Sequence, residues 1–282
     1  MKILDGSKYS KIILDDIKQK IRKLSIKPKL AIVLLGKNPS SITYIKSKEK
    51  ACKYVGMDIE KHFHTLEFTE KDLIELINKL NKDRSVNGII VQLPLPSNIN
   101  TDNIIFNIDY KKDVDGFHPF NLGKIFVGLE SLAPCTALGI VDLLSFYDID
   151  IKGKTVCILG KSNIVGKPVA LMLLNHKATV ISCDKYTEDI IKLTQVADIL
   201  ISATGVPNLI KAKHIKKDAV IVDVGFTYKN GVLYGDVDEK SIKDKASYIS
   251  PVPGGIGKMT VAHLIKNTYK AYMIQNNKKN FI

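Results

Sequence analysis

The chain has 282 residues, of which 45% are hydrophobic, and a formal net charge of +13 at pH 7. This length is long for one domain, so the sequence predicts two, and no apolar run approaches the roughly 20 residues of a membrane span. The charge would permit nucleic-acid binding, but the lysines are scattered along the chain. Scattered lysines favour solvated surfaces and anionic small molecules over nucleic acid as partners.

The four cysteines lie far apart and form no Cys-x-x-Cys pair. Together with an N-terminus that has no secretory apolar segment, this spacing predicts reduced thiols in a cytoplasmic protein. His62 and His64 alternate along a predicted strand, but no nearby ligand completes a site, so we predict no bound metal.

In the first half, strand-like runs alternate with amphipathic stretches, which is the pattern of parallel α/β architecture. Helices are predicted at residues 7–24, 39–55 and 70–81, with a short one after residue 101, and strands at residues 30–35, 59–66 and 88–93. Asn38 can cap the second helix, with Pro39 in its first turn. Residues 111–134 are predicted to form a long irregular connection.

The second half restarts the alternation. Its predicted helices are residues 136–146, 165–175, 187–193 and 259–276, and its predicted strands are residues 155–159, 179–183, 199–203 and 220–224. Thr136 is the predicted cap of the first of these helices.

Tyr44 and Lys48 lie four residues apart in the second predicted helix, so their side chains share one face. A phenol beside a lysine ammonium can bring that ammonium closer to neutrality and orient the proton that it carries. Nicotinamide enzymes of the short-chain dehydrogenase kind use such a pair after their dinucleotide turn. Here the pair precedes the glycine-rich turn, which argues for separate catalytic and cofactor domains.

The glycine-rich turn follows the predicted strand at residues 155–159 and contains Gly160, Lys161, Ser162 and Gly166. A strand, a glycine turn and a helix N-terminus can hold a pyrophosphate on backbone N–H groups. The spacing departs from Gly-x-Gly-x-x-Gly, so an ordinary βα turn is the alternative. Two later strands also end in small residues, Gly205 among them, at the sheet edge where ligands bind.

Asp184 and Lys185 follow the next strand, about 20 residues after the turn. An acid there can bind the ribose hydroxyls of NAD, and a cation can bind the 2′-phosphate of NADP. The two adjacent residues therefore point to different cofactors.

Three further features are ambiguous by themselves. Gln92 lies near the carboxyl end of a strand, where an amide can bind a lysine or a heterocycle, although structural glutamines are commoner. Asp115 precedes a glycine and is equally a turn-former. Gly254 and Gly255 would let the backbone approach a flat ligand, or would form a hinge.

Together these motifs resemble one family, the bifunctional methylenetetrahydrofolate dehydrogenase/methenyltetrahydrofolate cyclohydrolases. The resemblance covers essentially the whole chain, and five segments in family order carry it: Tyr44-x-x-x-Lys48, Val91-Gln92-Leu93-Pro94-Leu95-Pro96, Lys112-Asp113-Val114-Asp115-Gly116, Gly160-Lys161-Ser162-x-x-Val165-Gly166-x-Pro168 and Pro251-Val252-Pro253-Gly254-Gly255.

The resemblance implies oxidation of 5,10-methylenetetrahydrofolate with NADP⁺, or with NAD⁺, and hydrolysis of the methenyl product to 10-formyltetrahydrofolate, in one-carbon metabolism that supplies purine biosynthesis. It implies a cytoplasmic homodimer and a two-domain α/β fold. Residues 1–118 would form an N-terminal catalytic domain, on which a C-terminal helix, residues 257–282, packs back. Residues 119–256 would form a Rossmann-like NAD(P)-binding domain.

The resemblance also implies individual roles. Lys48 matches the catalytic lysine, Tyr44 the residue that orients it, and Gln92 the glutamine that hydrogen-bonds it. Asp115 matches the acid that binds the donor edge of the pterin, and Gly254 and Gly255 match a loop beside the folate. With the residues argued above, the predicted cofactor contacts are Gly160, Lys161, Ser162, Gly166, Asp184, Lys185, Gly205 and Phe226.

Several positions depart from the usual family pattern. Lys161 stands where an arginine is common, Asp184 where a histidine is common, and Phe226 where a smaller aliphatic residue is usual. These departures bear on the nucleotide, for which we expect NADP, with NAD possible. Three alternatives stay open: a monofunctional dehydrogenase, a short-chain-type alcohol dehydrogenase, and a basic nucleic-acid-binding protein on a Rossmann scaffold.

Overall fold

A computed structural model describes residues 1–229 and 232–276, which form two compact units with one parallel sheet each. The three-stranded unit comprises Lys11–Cys135 and the described residues from Val261 onward, and the six-stranded unit comprises Met1–Ser10 and Thr136–Thr260. The chain therefore passes from one unit to the other at three places.

The strands of the described residues are β1 (Lys2–Ile3), β2 (Lys29–Leu35), β3 (Asp58–His64), β4 (Gly88–Val91), β5 (Thr155–Leu159), β6 (Thr179–Cys183), β7 (Ile199–Ser202), β8 (Val220–Asp223), β9 (Phe226–Lys229), β10 (Val232–Gly235) and β11 (Tyr248–Ser250).

The helices of the same residues are α1 (Gly6–Arg22), α2 (Pro39–Val55), α3 (Glu70–Lys82), α4 (Thr101–Asn107), α5 (Pro119–Phe126), α6 (Cys135–Phe146), α7 (Gly166–Asn175), α8 (Ile190–Gln195), α9 (Glu239–Ile242) and α10 (Ile256–Gln275), with a 3-10 turn at Ala212–His214. Among them, no helix is both long and apolar enough to cross a membrane.

The sheet of the three-stranded unit has the order β3-β2-β4, and β2 is parallel to both neighbours. Because successive side chains of a strand point to opposite faces, β2 contributes to two cores. Leu30, Ile32 and Leu34 pack in one core with residues of α1, α2 and α10, while Ala31, Val33 and Leu35 pack in another with residues of α3.

The prediction that the last helix packs back on the first domain is confirmed. Val261, Leu264 and Ile265 of α10 belong to the same buried cluster as Ile17 and Ile21 of α1. The predicted end of this segment, residues 277–282, lies outside the described residues.

The sheet of the six-stranded unit has the order β1-β11-β8-β7-β5-β6, with parallel pairing throughout. Strands β9 and β10 form a separate antiparallel hairpin. The predicted α/β class with a Rossmann-like second half is therefore confirmed, although the sequence analysis did not foresee β1, β9, β10, β11 or α9.

Three local predictions were wrong. The connection at residues 111–134 contains α5, which begins at Pro119 because His118 Nδ1 accepts a hydrogen bond from the Phe120 N–H at 3.0 Å. Helix α6 begins at Cys135, so Thr136 lies inside the helix rather than capping it. Helix α8 begins three residues after the predicted Thr187, whose hydroxyl is used in a turn with Asp184.

The predicted domain boundaries stay a prediction. The compact units differ from them in that residues 1–10 and 257–260 belong with the six-stranded unit and residues 119–135 with the three-stranded unit.

Candidate active site and nucleotide cleft

Helix α2 carries Tyr44 and Lys48, and its start is well determined. Asn38 Oδ1 accepts hydrogen bonds from the N–H groups of Ser40 and Ser41, at 3.0 and 3.3 Å, and Pro39 occupies the first turn. The predicted cap is thus confirmed. Because the helix is uninterrupted to Val55, Tyr44 lies one turn before Lys48 on the same face.

Lys48 is only 6% exposed, and its ammonium has a specific acceptor. The Nζ atom donates to Oε1 of Gln92, directly after β4, at 2.8 Å. The amide nitrogen of Gln92 donates to the Leu93 carbonyl oxygen, also at 2.8 Å. Since only one end of an amide can accept, this second bond turns the Gln92 oxygen toward the lysine.

Asp115 reaches the same region from a turn that is fixed beside β4. The Ile89 N–H donates to the Lys112 carbonyl oxygen at 2.8 Å, which ties the turn to the strand. The carboxylate that holds the turn belongs to Asp113, which accepts from the N–H groups of Gly116 and His118 at 3.0 and 2.8 Å. The turn-forming role that the sequence allowed for Asp115 is therefore filled by its neighbour.

Burial shifts the pKa values of Lys48 and Asp115 toward the neutral form of each group. It lowers the pKa of Lys48, an effect that the negative charge of Asp115 opposes. It raises the pKa of Asp115 to about 6, against the attraction of Lys48. Desolvation also raises the pKa of the half-buried Tyr44, so its phenol keeps a proton to donate. The site thus holds a lysine and an acid that both titrate nearer to neutrality than usual.

The sequence analysis gave no role to Cys135, which is 1% exposed and close enough to feel the charges of both Lys48 and Asp115. Its thiol donates to the Val114 carbonyl oxygen at 3.2 Å, and Asn267 of α10 donates to the same oxygen at 2.9 Å. Burial raises the pKa of this thiol well above its ordinary value, so it stays neutral. The available signal was Asn267, a polar residue among the buried positions of the last helix.

In the six-stranded unit, β5 ends in the predicted glycine turn and α7 follows it. Gly160 has a φ of +108°, and a Cβ there would lie 2.5 Å from the Ala203 carbonyl oxygen. A Cβ on Gly166 would lie 1.8 Å from the Gly160 carbonyl oxygen. Both positions therefore require glycine to bring the strand, the turn and the helix start together.

A cleft of about 980 Å³ opens at this turn, a size within the range of cofactor sites. The predicted cofactor residues that line it are Gly160, Lys161, Ser162, Asp184 and Lys185. The N-cap residue of α7 is Val165, which makes no side-chain cap. The Lys167 N–H donates to the Ser162 carbonyl oxygen at 3.1 Å, so the turn is tied to the helix start, where the helix dipole favours a phosphate. The cleft therefore fits a nicotinamide dinucleotide.

At the cleft mouth, Lys161 forms an ion pair with Asp184, whereas Lys185 lies beside an aromatic ring. Lys161 Nζ lies 3.6 Å from the Asp184 carboxylate. The Tyr186 N–H also donates to this carboxylate, at 3.1 Å, and this bond is the first cause of the low pKa of Asp184. Lys185 Nζ lies 4.9 Å from the centre of the Tyr186 ring.

The remaining predicted contacts lie elsewhere in the same unit. Among the described residues, Gly205 does not line the cleft itself, but its neighbours Thr204 and Val206 do. Phe226, which begins β9, is 39% exposed and also lies outside the lining. Gly254 belongs to a loop held by the N-terminal segment, where the Ser7 N–H donates to its carbonyl oxygen at 3.0 Å.

A buried lysine site on one sheet and a dinucleotide cleft on another define a two-domain α/β protein with separate catalytic and nucleotide-binding parts. The tetrahydrofolate dehydrogenase/cyclohydrolase catalytic-domain model matches residues 4–115. The NAD(P)-binding-domain model of the same family matches residues 134–276. The chain belongs to this family, so the short-chain and nucleic-acid alternatives are set aside.

The relatives are similar over nearly their whole length. The bifunctional protein FolD of Hydrogenobaculum sp. is 52% identical over 274 residues, which are 96% of this chain and 99% of the relative. The crystal structure of the bifunctional FolD enzyme from Campylobacter jejuni is 45% identical, with a TM-score of 0.94 and 99% of each chain covered. The Trypanosoma brucei FolD structure, complexed with NADP cofactor and inhibitor, is 32% identical, with a TM-score of 0.92 and 98% of each chain covered.

Proposed function

We propose that this protein oxidises 5,10-methylenetetrahydrofolate to the 5,10-methenyl form and then hydrolyses that form to 10-formyltetrahydrofolate, in one-carbon metabolism that supplies purine biosynthesis. The observation that carries the proposal is the buried Lys48, hydrogen-bonded to Gln92 at 2.8 Å and electrostatically coupled to Asp115. Family membership supplies the reaction class.

In the hydrolytic step, Lys48 moves protons. Burial lowers the pKa of Lys48, and the cationic methenyl substrate beside it lowers it further, so the amine can accept a proton from the attacking water. The oxygen of that water bonds to the methenyl carbon. When a carbon–nitrogen bond of the five-membered ring breaks, the same lysine returns the proton to the leaving nitrogen, and the added hydroxyl releases its remaining proton to solvent as it becomes the formyl carbonyl.

The surrounding residues hold the lysine and the folate. Gln92 keeps Nζ in one direction through its oriented amide. Tyr44, one turn earlier on α2, packs near the substrate with its phenol protonated. Asp115 binds the donor edge of the pterin, where an ionised carboxylate makes a charge-assisted hydrogen bond, and the loop with Gly254 and Gly255 lies beside the folate.

The six-stranded unit holds the nucleotide in the glycine cleft. Gly160, Ser162 and Gly166 form the turn for the pyrophosphate, and Gly205 and Phe226 complete the site from neighbouring loops. When bound, NADP⁺ supplies the hydride acceptor for the first reaction. We propose NADP⁺ over NAD⁺ because two cations, Lys161 and Lys185, line the mouth of the cleft and can bind a 2′-phosphate.

We further propose a cytoplasmic homodimer. The described cysteines are all free thiols and all buried, which suits a reducing compartment. In the described sheet of the three-stranded unit, β3 is an edge strand, and its Phe63 is 52% exposed. An edge strand with an exposed aromatic residue offers a surface for a second copy, and sedimentation of the purified protein tests this.

The experiment that tests the function is a time course with purified protein, methylenetetrahydrofolate and either NADP⁺ or NAD⁺. Reduced nucleotide is followed continuously, and decay of added methenyltetrahydrofolate is followed separately against a control without enzyme. We expect reduction of NADP⁺ and accelerated methenyl decay. Reduction without accelerated decay would identify a monofunctional dehydrogenase, and reduction of neither nucleotide by folded protein would contradict the proposal.

A further inference from the structure

A carboxylate with no exposed surface lies beneath one wall of the nucleotide cleft. Asp236, between β10 and α9, is 0% exposed. Its Oδ2 atom accepts from the N–H and the hydroxyl of Thr204, at 2.7 and 2.8 Å. The Gly205 N–H donates to the same oxygen at 3.3 Å, and the Ser202 hydroxyl does so at 2.8 Å. One oxygen thus gathers four donors from the end of β7 and the loop after it.

Three of these donors belong to the loop that forms one wall of the cleft. Ala203, Thr204 and Val206 line the cleft, and the Val206 N–H donates to the Thr204 hydroxyl oxygen at 3.2 Å. The Thr204 side chain is therefore held from both sides, by the acid below and by the backbone after it. The Thr227 hydroxyl also donates to the Gly205 carbonyl oxygen, at 2.7 Å. A loop without secondary structure of its own depends on such side-chain bonds to keep one conformation.

A second buried acid, Asp223, holds the backbone at Asp236. Asp223, at the end of β8, accepts from the N–H groups of Asp236 and Val237, both at 3.0 Å. Asp223 is itself 2% exposed and exchanges hydrogen bonds with the Ser250 hydroxyl through its backbone. Burial raises the pKa of Asp223 to about 7. Two desolvated acids that lie close together are costly unless hydrogen bonds compensate their burial.

We infer that Asp236 is a positioning residue for the nicotinamide nucleotide: it holds the loop that carries the cleft-lining residues Thr204 and Val206 in the conformation that binds. The inference rests on the proposed function, because the cleft must take the nucleotide. Asp236 does not line the cleft, and it acts only through the loop.

The test measures NADP⁺ affinity by calorimetry, without folate, and cyclohydrolase activity, without nucleotide, in the same preparations. Asp236→Ala removes the acceptor of four donors, so we expect the Kd for NADP⁺ to rise at least about tenfold, as expected for lost charge-assisted hydrogen bonds. Cyclohydrolase activity should stay within about twofold because it needs no nucleotide wall. Asp236→Asn keeps a side-chain oxygen acceptor and should restore the Kd to within about threefold of the original.

Two further variants keep the test decisive. Asp238→Ala removes a nearby acid that caps α9 through the Ser241 N–H, and it should leave the Kd unchanged. Thr204→Val removes one donor to Asp236, together with the acceptor of the Val206 N–H, without unpairing a buried charge, so it provides a measurement if Asp236→Ala does not fold, with an expected rise of about threefold.

The outcomes separate this inference from the proposed function. An unchanged Kd in folded Asp236→Ala, or in Thr204→Val, would overturn the positioning role. An equal fall of nucleotide affinity and cyclohydrolase activity would also overturn it, because the residue would then only stabilise the fold. If the unaltered protein bound neither nucleotide, the failure would lie in the proposed function instead.

Discussion

The lysine site depends on buried side chains, whereas the nucleotide cleft depends on backbone geometry. The lysine site uses desolvated side chains: Lys48 is 6% exposed, and the pKa of Asp115 is raised to about 6. The cleft uses backbone, because Gly160 and Gly166 leave no room for a Cβ and the cations at its mouth are exposed. Proton transfer needs groups whose pKa values burial can shift, whereas a phosphate needs close approach of N–H groups.

This contrast predicts that side-chain chemistry matters most in one unit and backbone geometry in the other. Substitutions in each unit, given below from the largest expected effect to the smallest, distinguish side-chain chemistry from backbone geometry.

The largest effect should come from Lys48→Met. Methionine has a similar length but carries no proton, so cyclohydrolase activity should fall at least about a hundredfold, the usual contribution of a general acid–base group. Some dehydrogenase activity should remain, since Lys48 is assigned only to water attack and ring opening. Decay of added methenyltetrahydrofolate at neutral pH, against a control without enzyme, measures the first activity, and nucleotide reduction measures the second. Equal loss of both, with intact folding, would remove the role assigned to Lys48.

Next is Gly160→Ala, which adds a methyl group 2.5 Å from the Ala203 carbonyl oxygen at a φ of +108°. Backbone strain of about 1–3 kcal/mol at the turn should raise the KM for NADP⁺ by about tenfold or more. Gly153→Ala is the matched control, because Gly153 has a φ of +73° with nothing within 4 Å of its Cβ position. If both variants raised the KM equally, crowding at the turn would not be the cause.

A smaller effect concerns Asp115 and pH. Because its pKa is raised to about 6, this acid is largely neutral at about pH 5 and ionised at about pH 7, so kcat/KM for the folate should rise roughly tenfold across that range. Asp115→Asn should abolish this rise of kcat/KM with pH and lower kcat/KM at about pH 7. If kcat/KM of the variant rose with pH as before, the rise would reflect the ionisation of another group.

The same shift has a consequence for stability. A folded-state pKa above the unfolded value stabilises the fold at low pH, and this contribution is lost as the pH rises through about 6. Asp115→Asn should therefore lose less unfolding free energy than the unaltered protein between about pH 4 and about pH 7, as urea titrations can measure. A steeper loss in the variant would contradict the raised pKa.

The smallest effect should come from Asp184→Ser. Removing the partner of Lys161 leaves that cation available to a 2′-phosphate, so the KM for NADP⁺ should fall relative to that for NAD⁺ by about threefold, since exposed ion pairs are weak. Glu188→Ser, in the same loop, controls for the change in net charge. Equal effects of both substitutions would indicate that the change in net charge, and not the loss of the Lys161–Asp184 ion pair, causes the change in KM.

Local signals determine the helix that carries Tyr44 and Lys48, so the sequence predicted that helix correctly. Asn38 and Pro39 begin α2 as predicted, and the hydrogen bond that the family resemblance implied between Gln92 and Lys48 is present at 2.8 Å. That bond joins residues 44 positions apart, so only the family pattern, and not periodicity, could predict it.

The parts that escaped prediction depend on distant residues. Cys135 approaches the site through a turn that Asn267 ties down from the last helix. Asp236 binds a loop more than 30 positions earlier, and no local pattern distinguishes it from the nearby Asp238. Strand β1 has two residues and exists only because β11 lies beside it.

The central claim is that the lysine site and the nucleotide cleft work separately, and crossed measurements test it most directly. NADP⁺ affinity should be measured by calorimetry in Lys48→Met, and methenyl decay without nucleotide in Gly160→Ala. We predict that both values stay within about twofold of those of the unaltered protein, as expected for independent sites. A large loss in both crossed measurements, from folded variants, would contradict the division of labour between the two units.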